Sequence, residues 1–518
     1  MRIGFPPGAG RLTKAVTLAT ALLLVAAGVW AGYVVLSPDL SCAPGVQRLQ
    51  EGGPCFGVTD GGFSFGKPLD EVSARIKAEN DAIGKQPHVT VAVMVPMTAS
   101  NGNDDDRILR QLQGAYLAQY RANHESDAKA PLIRLVLANP GPDSTQWHRV
   151  TDQLGQLSKS PTDNLRAVAG FDRSVPATRA ALAHLTNDLH IPVVGGAITG
   201  DDLANSDQSP DAFPSLARVV PTNTGEADAL AHFGAANGPQ NAVVVEDSRK
   251  DDSYITTLKD AFERTTKAAA AHEPELFKSP DDISTTGNTS NVFQQLIQNI
   301  CQTDATTIYF AGRYVQLRQF INELGTRGCQ AKPYTVLTGS EANSLLTDPG
   351  LDWSALTKHV TLRYVSLAHP DMWSTGPAVN GGSATDYADF ASLVDRAAKG
   401  PIGPIGPVDL KDSRTIVMHD TIWTAVTEIR NSAVGNPLPS LADVKDAWQQ
   451  LHGANKVKGA GGWICLDNHG NPYDKALALV ELQPTTADKK FVGSARFVAL
   501  AWPTGAPPAA DCTAPNGT

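Results

Sequence analysis

From residue 88 onward, short apolar runs alternate with helix-length segments, which predicts an α/β protein built on parallel sheets. The runs are VTVAVMVP, LIRLVLAN, LRAVAGF, IPVVGGA, NAVVVED, TTIYFAG and YTVLTGS. They are apolar almost throughout, as strands covered on both faces must be, and the segments between them are long enough for crossover helices. A break at SLARVVPTNTGEADALAHFG, after four strands and before the pattern restarts at NAVVVED, divides the strands between two sheets. The length agrees, since 518 residues exceed one ordinary core. No short fixed period repeats along the chain, which excludes a solenoid.

Residues 15–36, AVTLATALLLVAAGVWAGYVVL, are 22 in a row without a charge, enough to cross a bilayer as a helix. Arg2, Arg11 and Lys14 precede the run and Asp39 follows it. The positive end is therefore expected to stay in the cytoplasm, with everything after about residue 37 exported. The run reads as a retained transmembrane anchor or as a signal helix cleaved after Ala31; its length and N-terminal position speak against a buried core helix. The formal charge is −10 overall, and the first 38 residues carry +3 with no acid, so −13 falls on the exported part. That balance argues against nucleic acid or anionic lipid surfaces as partners.

Six cysteines in an exported chain suggest three disulfides, for which sequence alone allows 15 connectivities. The most local arrangement joins Cys42 to Cys55, Cys301 to Cys329 and Cys465 to Cys512. The middle pair has a further argument: Cys301 ends one predicted helix and Cys329 the next, and in a parallel layer both helix ends lie at one rim of the sheet. A zinc site is the rival, but neither CxxC nor HExxH spacing occurs. His124, His184, His190, His232 and His272 have no partner at ligand spacing, and no metal or cofactor is implied.

Residues 37–67, rich in Gly, Pro and Ser, read as a stalk. PLDEVSARIKAENDAIG then puts Pro68 at a helix start with Leu69, Val72 and Ile76 on one face. GGFSFGKP, residues 61–68, nominally contains both a GxSxG and a GxxxxGK pattern. The first lacks a buried strand before Ser64, and the second has Pro68 where a phosphate loop needs a hydroxyl, so both are read as chance. The Pro/Gly stretch KGPIGPIGPVDL, residues 399–410, reads as a surface loop leading to the helix TIVMHDTIWTAVTEIR. GWICL and KALALVELQ read as strands, and DNHGNP between them as the tip of a hairpin, which makes Asp467, Asn468 and His469 turn residues rather than catalytic ones.

Four segments, taken in order, carry a resemblance to a known family: RAVAGFDRSVPATRAALAHLTNDLHIPVVGGAIT, SLARVVPTNTGEADALA, VVVEDSRKDDSYITTLKDAF and TTIYFAGRYVQLRQFINELGTRG. Together with the helix SLADVKDAWQQL and the terminal Gly-aromatic segment, they make residues 86–485 similar to the type I periplasmic-binding-protein family. Within it the chain resembles the branched-chain amino-acid receptors of ABC transporters. The resemblance implies two lobes, each a parallel sheet flanked by helices, that close over a small polar ligand, amino-acid-like, at the cleft between them. It implies 86–218 plus 350–455 as lobe one and 219–349 plus 456–500 as lobe two, while residues 1–36 read from their own pattern as cytoplasmic tip and membrane or signal helix, 37–85 as stalk and lead-in helix, and 501–518 as tail. Ser174 and Thr199, with Ala197, would hold a ligand carboxylate by hydroxyl and backbone N–H groups. Glu341 would face its ammonium, and Tyr254 and Tyr314, or Arg313 beside it, would line the second lobe. The implied partner is an ABC permease. No nucleophile or paired acids in context support a hydrolase, and a membrane-anchored sensor or scaffold ectodomain with the same fold is the second rival.

Overall fold

The computed structural model describes residues 19, 20, 22, 24, 40–98, 102–125, 130–234, 241–267, 272–374, 378–400, 402–433, 435–487, 490–512 and 514. Apart from four positions, the uncharged run at 15–36 lies outside the described residues. Among the described residues no helix is long and apolar enough to cross a membrane. The chain falls into two units, residues 1–55 and 56–518. In the first, strands β1 (Ser41–Ala43) and β2 (Val46–Arg48) pair antiparallel around Gly45, whose φ of 77° suits a tight turn, and a disulfide joins Cys42 to Cys55.

The second unit takes in β3 (Cys55–Thr59) from Phe56 onward, then α1 (Asp70–Ile83), β4 (His88–Met94), α2 (Gly102–His124) and β5 (Leu132–Asn139). It continues with α3 (Trp147–Lys159), β6 (Leu165–Gly170), α4 (Pro176–Ala183), β7 (Val193–Gly195) and β8 (Leu216–Arg218). Strands β5, β4, β6, β7 and β8 lie side by side in that order and run parallel. Residues 37–85, expected as stalk and lead-in helix, are corrected in part. Phe56 and Thr59 are buried, β3 pairs antiparallel with β5, and α1 packs on α2 and β5, so the core begins before residue 86.

After α5 (Asn223–Phe233) the pattern repeats through β9 (Ala242–Asp247), α6 (Ser253–Thr266), β10 (Glu275–Phe277), α7 (Thr289–Gln302), β11 (Thr307–Ala311), α8 (Tyr314–Gly325), β12 (Tyr334–Thr338) and β13 (Val360–Ser366). The parallel order is β10, β9, β11, β12, β13, the same permutation as in the first sheet. Placing Val360–Ser366 in lobe one is therefore corrected. Two short 3-10 helices, Ser340–Leu346 and Trp353–Thr357, make the crossover that a longer α-helix makes elsewhere, and the chain leaves the second sheet only after Ser366.

It returns to the first sheet with α9 (Ala384–Lys399), α10 (Arg414–Ser432) and α11 (Leu441–Ala447). Of these, α10 lies along α2 and against β6. Gly114 permits that approach: a Cβ there would press on the Thr415 carbonyl oxygen and stand 2.8 Å from the His419 nitrogen. A small hairpin follows, β14 (Val457–Gly459) with β15 (Gly462–Ile464), bent around Asp420, whose carboxylate accepts from Ala460 N–H at 2.7 Å and Gly461 N–H at 2.8 Å. Strands β16 (Leu477–Ala487) and β17 (Lys490–Ala501) complete the second sheet, β16 antiparallel to β13. The expected pairing of GWICL with KALALVELQ does not occur. Trp463 faces Lys458 and Leu482 faces Leu362, because each strand finds its partner in a different layer. Disulfides join Cys301 to Cys329 and Cys465 to Cys512.

Candidate functional site

In both sheets the first strand of the permutation, β4 or β9, has a neighbour on each side to which the chain departs in opposite directions. Loops beyond the carboxyl ends of the strands diverge there and leave a crevice. The loops after β6 and β7 carry Ser174 and Thr199. Gly170, with φ of 121°, ends β6 where a Cβ would lie 2.8 Å from the Met94 carbonyl oxygen, and so turns the chain sharply into Phe171–Ser174. The Ser174 hydroxyl oxygen then accepts from Thr199 N–H at 3.1 Å and Gly200 N–H at 3.0 Å, which ties the two loops together.

The facing groups come from the second sheet. Asp252 caps α6 by accepting from Ile255 N–H at 3.1 Å, and the same carboxylate receives Arg313 Nε at 2.9 Å and Nη2 at 2.8 Å. Arg313, at the start of α8, also donates from Nη2 to the Ser174 carbonyl oxygen at 3.0 Å and pairs through Nη1 with Glu341. Its guanidinium lies 4.8 Å from the centre of the Tyr254 ring. Burial alone would lower the Arg313 pKa, but Asp252 and Glu341 outweigh it and hold the charge firmly. Behind them Glu226 is fully buried, accepts from Ser340 N–H at 2.8 Å and from its hydroxyl at 2.7 Å, and has its carboxyl pushed up to about 8 by burial.

The wall on the first lobe is made of charged side chains from α2, from the loop after β6, and from the approach to and start of α10. Asp104 accepts from Arg107 Nη2 at 3.0 Å and Arg173 Nη2 at 2.8 Å, and Arg107 also pairs with Asp172. Asp412 pairs with Arg110 and accepts from Arg414 Nη1 at 2.7 Å, while Arg414 Nη2 crosses to the Ser344 hydroxyl at 2.9 Å. Burial, with the charge of Arg173 added, pushes Arg107 down to about 9 in spite of Asp104.

All six residues singled out from the sequence, Ser174, Ala197, Thr199, Tyr254, Tyr314 and Glu341, line this one cavity. Arg107, Gln111, Asp412 and Arg414 line it too and were not foreseen. In DDDRILRQLQ, Arg107 and Gln111 stand one turn apart, a spacing that any solvated helix stripe shares, and no local pattern marks Asp412 or Arg414. The free space within the site is about 60 Å³, well below the cavity of about 150 Å³ that admits benzene.

The remaining motifs lie elsewhere. Ser64 donates to the Gly66 carbonyl at 2.8 Å within a loop. Asp467 accepts from His469 N–H at 2.8 Å and Asn471 N–H at 2.9 Å, which makes it a turn residue, and His469 meets Asp207 at 2.8 Å. His124, His184 and His272 each meet a carboxylate outside the cavity, and no cluster of metal-ligating side chains occurs among the described residues.

No family model and no curated protein matches the chain in sequence. Solved structures do match in fold. The leucine-binding protein LivK of Thermotoga maritima superposes with a TM-score of 0.53 over 80% of this chain and 98% of its own, at 16% identity. The branched-chain amino-acid receptor LivJ of Streptococcus pneumoniae, solved with isoleucine, gives 0.52 over 79% and 99%, at 15% identity. An ABC-transporter solute-binding protein of Rhodopseudomonas palustris HaA2, solved with p-hydroxybenzoic acid, gives 0.56 over 80% and 96%, at 16% identity. These neighbours are type I periplasmic-binding proteins of ABC transporters, and the chain has their two-lobed α/β fold. At this identity the likeness establishes the fold.

Proposed function

We propose that the protein is an extracytoplasmic solute receptor that closes its two lobes over a small polar organic ligand, in the service of an ABC-type uptake system. The observation that supports this reading is the convergence on one cavity of Ser174, Ala197 and Thr199 from the first lobe with Tyr254, Tyr314 and Glu341 from the second. Residues 86–218 with 367–464 form the first lobe, 219–366 with 465–501 the second, and three chain crossings act as the hinge. The uncharged run at 15–36 tethers the protein to the cell membrane or is removed on secretion. A thermal-shift screen of the full chain in mild detergent, against amino acids, amides and small organic acids, tests the reading, because a ligand that binds only the folded state raises the melting temperature. At least one compound is expected to do so at millimolar concentration, and silence across the whole screen counts against a receptor.

A further inference from the structure

The charges that line the cavity match one for one. Among the described residues four arginines and four acids reach it, and no lysine or histidine does. Each arginine has a carboxylate of its own. On the first lobe Arg107 pairs with Asp172, Arg173 donates from Nη2 to Asp104 at 2.8 Å, and Arg414 donates from Nη1 to Asp412 at 2.7 Å. On the second lobe Arg313 pairs with Glu341. The next charges outward cancel as well, one acid against one base: Asp252 is held by Arg313, and Arg110 by Asp412. Glu226 adds nothing at neutral pH, because burial pushes its carboxyl up to about 8 and it keeps its proton.

These pairs are buried, with Arg107 8% exposed and Asp412 2%. An incoming carboxylate therefore adds a charge that nothing offsets, or it displaces an acid from its guanidinium, and separating a buried pair strands a charge out of water. An ammonium group meets the same obstacle at the acids. A zwitterion has to disturb two pairs at once. A hydroxyl disturbs none, since it accepts from a guanidinium, donates to the carboxylate beside it and leaves the pair intact. A wall of alternating sign calls for donor and acceptor on one atom. Gln111 adds a further acceptor: its Nε2 donates to the Arg107 carbonyl at 3.3 Å and to Asp172 Oδ1 at 3.0 Å, and its Oε1 is buried with no donor among the described residues.

Resting on the receptor reading above, we propose that the cleft takes small uncharged polyols in preference to anions, cations or zwitterions of the same carbon skeleton, and that the one-to-one pairing of arginines with carboxylates sets the preference. The ligand's hydroxyls lie along the pairs of the first-lobe wall, and one of them donates to Gln111 Oε1.

Four three-carbon probes test this, each titrated by calorimetry into the full chain at neutral pH: glycerol, D-glycerate, 2-amino-1,3-propanediol and L-serine. They keep the chain length and differ in charge. Erythritol with D-erythronate repeats the comparison at four carbons. Glycerol or erythritol is expected to bind about tenfold or more tighter than every charged member of its set. Asp412→Asn leaves Arg110 and Arg414 one negative charge short, so it is expected to move the ratio of acid to polyol affinity about tenfold or more toward the acid. Glu341→Gln creates the same surplus from the other lobe at a side chain 22% exposed, and carries the test if Asp412→Asn fails to fold. A charged probe that binds as well as its polyol, or a folded variant whose preference does not move, overturns the proposal and leaves the receptor reading in place. No heat from any probe also overturns it, and the receptor reading then stands or falls by the thermal-shift screen.

Discussion

Arg313 and Ser174 meet across the cleft: the guanidinium Nη2 of the one donates to the carbonyl oxygen of the other at 3.0 Å. The Ser174 hydroxyl oxygen meanwhile accepts from Thr199 N–H and Gly200 N–H. One residue thus organises the loops of its own lobe through its side chain and receives the other lobe through its backbone.

Ser174→Ala removes the acceptor for two backbone N–H groups at a buried position. A loss of about 1–3 kcal/mol in unfolding free energy is expected from stranding such donors. Urea denaturation measures it, and an unchanged midpoint would show that the two loops hold their shape without the hydroxyl.

Gly114→Ala places a methyl group against the Thr415 carbonyl oxygen and 2.8 Å from the His419 nitrogen, where α2 and α10 cross. Overpacking of this kind costs about 1–3 kcal/mol. Because α2 carries Arg107 and α10 begins at Arg414, ligand affinity in calorimetry should fall along with stability. A variant as stable as wild type would mean that the helices slide apart freely.

Peptide mapping without reduction should recover Cys301 linked to Cys329. Replacing both by serine should lower stability by about 2–4 kcal/mol, since the cross-link restricts the unfolded chain. Two free thiols at these positions would refute the pairing.

Burial pushes the Glu428 carboxyl up from 4.5 to about 8, with Asn431 pulling weakly the other way. Between those values the folded state keeps its proton while the unfolded state has released it, so this group makes stability fall as pH rises, by about 1.4 kcal/mol per pH unit. The loss levels off above about pH 8. Glu428→Gln removes the titration, so the variant should gain on wild type between pH 5 and 8 in thermal or urea unfolding. Parallel pH profiles for the two proteins would contradict this.

The strands were legible because VTVAVMVP, NAVVVED and their like must be buried on both faces. The resemblance to a receptor family then pointed to the loops after β6, β7, β11 and β12, and so to Ser174, Thr199, Tyr314 and Glu341 as candidates. The charged wall was not legible. Arg107 and Gln111 sit on a helix face that looks like any solvated stripe, and Arg414 reaches the cavity from more than three hundred residues further along the chain. Nor could spacing show that Arg313 would turn inward to Glu341 and not leave it free. The pairing of Trp463 with Lys458, and of Leu482 with Leu362, depends on which layer each strand joins, and a local hydrophobic pattern does not encode that.

The order in which the chain visits the sheets limits how the molecule can be taken apart. It builds the first sheet through Arg218, the second through Ser366, returns to the first with α10 and α11, and ends in the second with β16 and β17. No single cut releases a complete half. An engineer who wanted either lobe alone would have to splice two distant stretches, and a nick in any crossing strand would leave both fragments still interleaved.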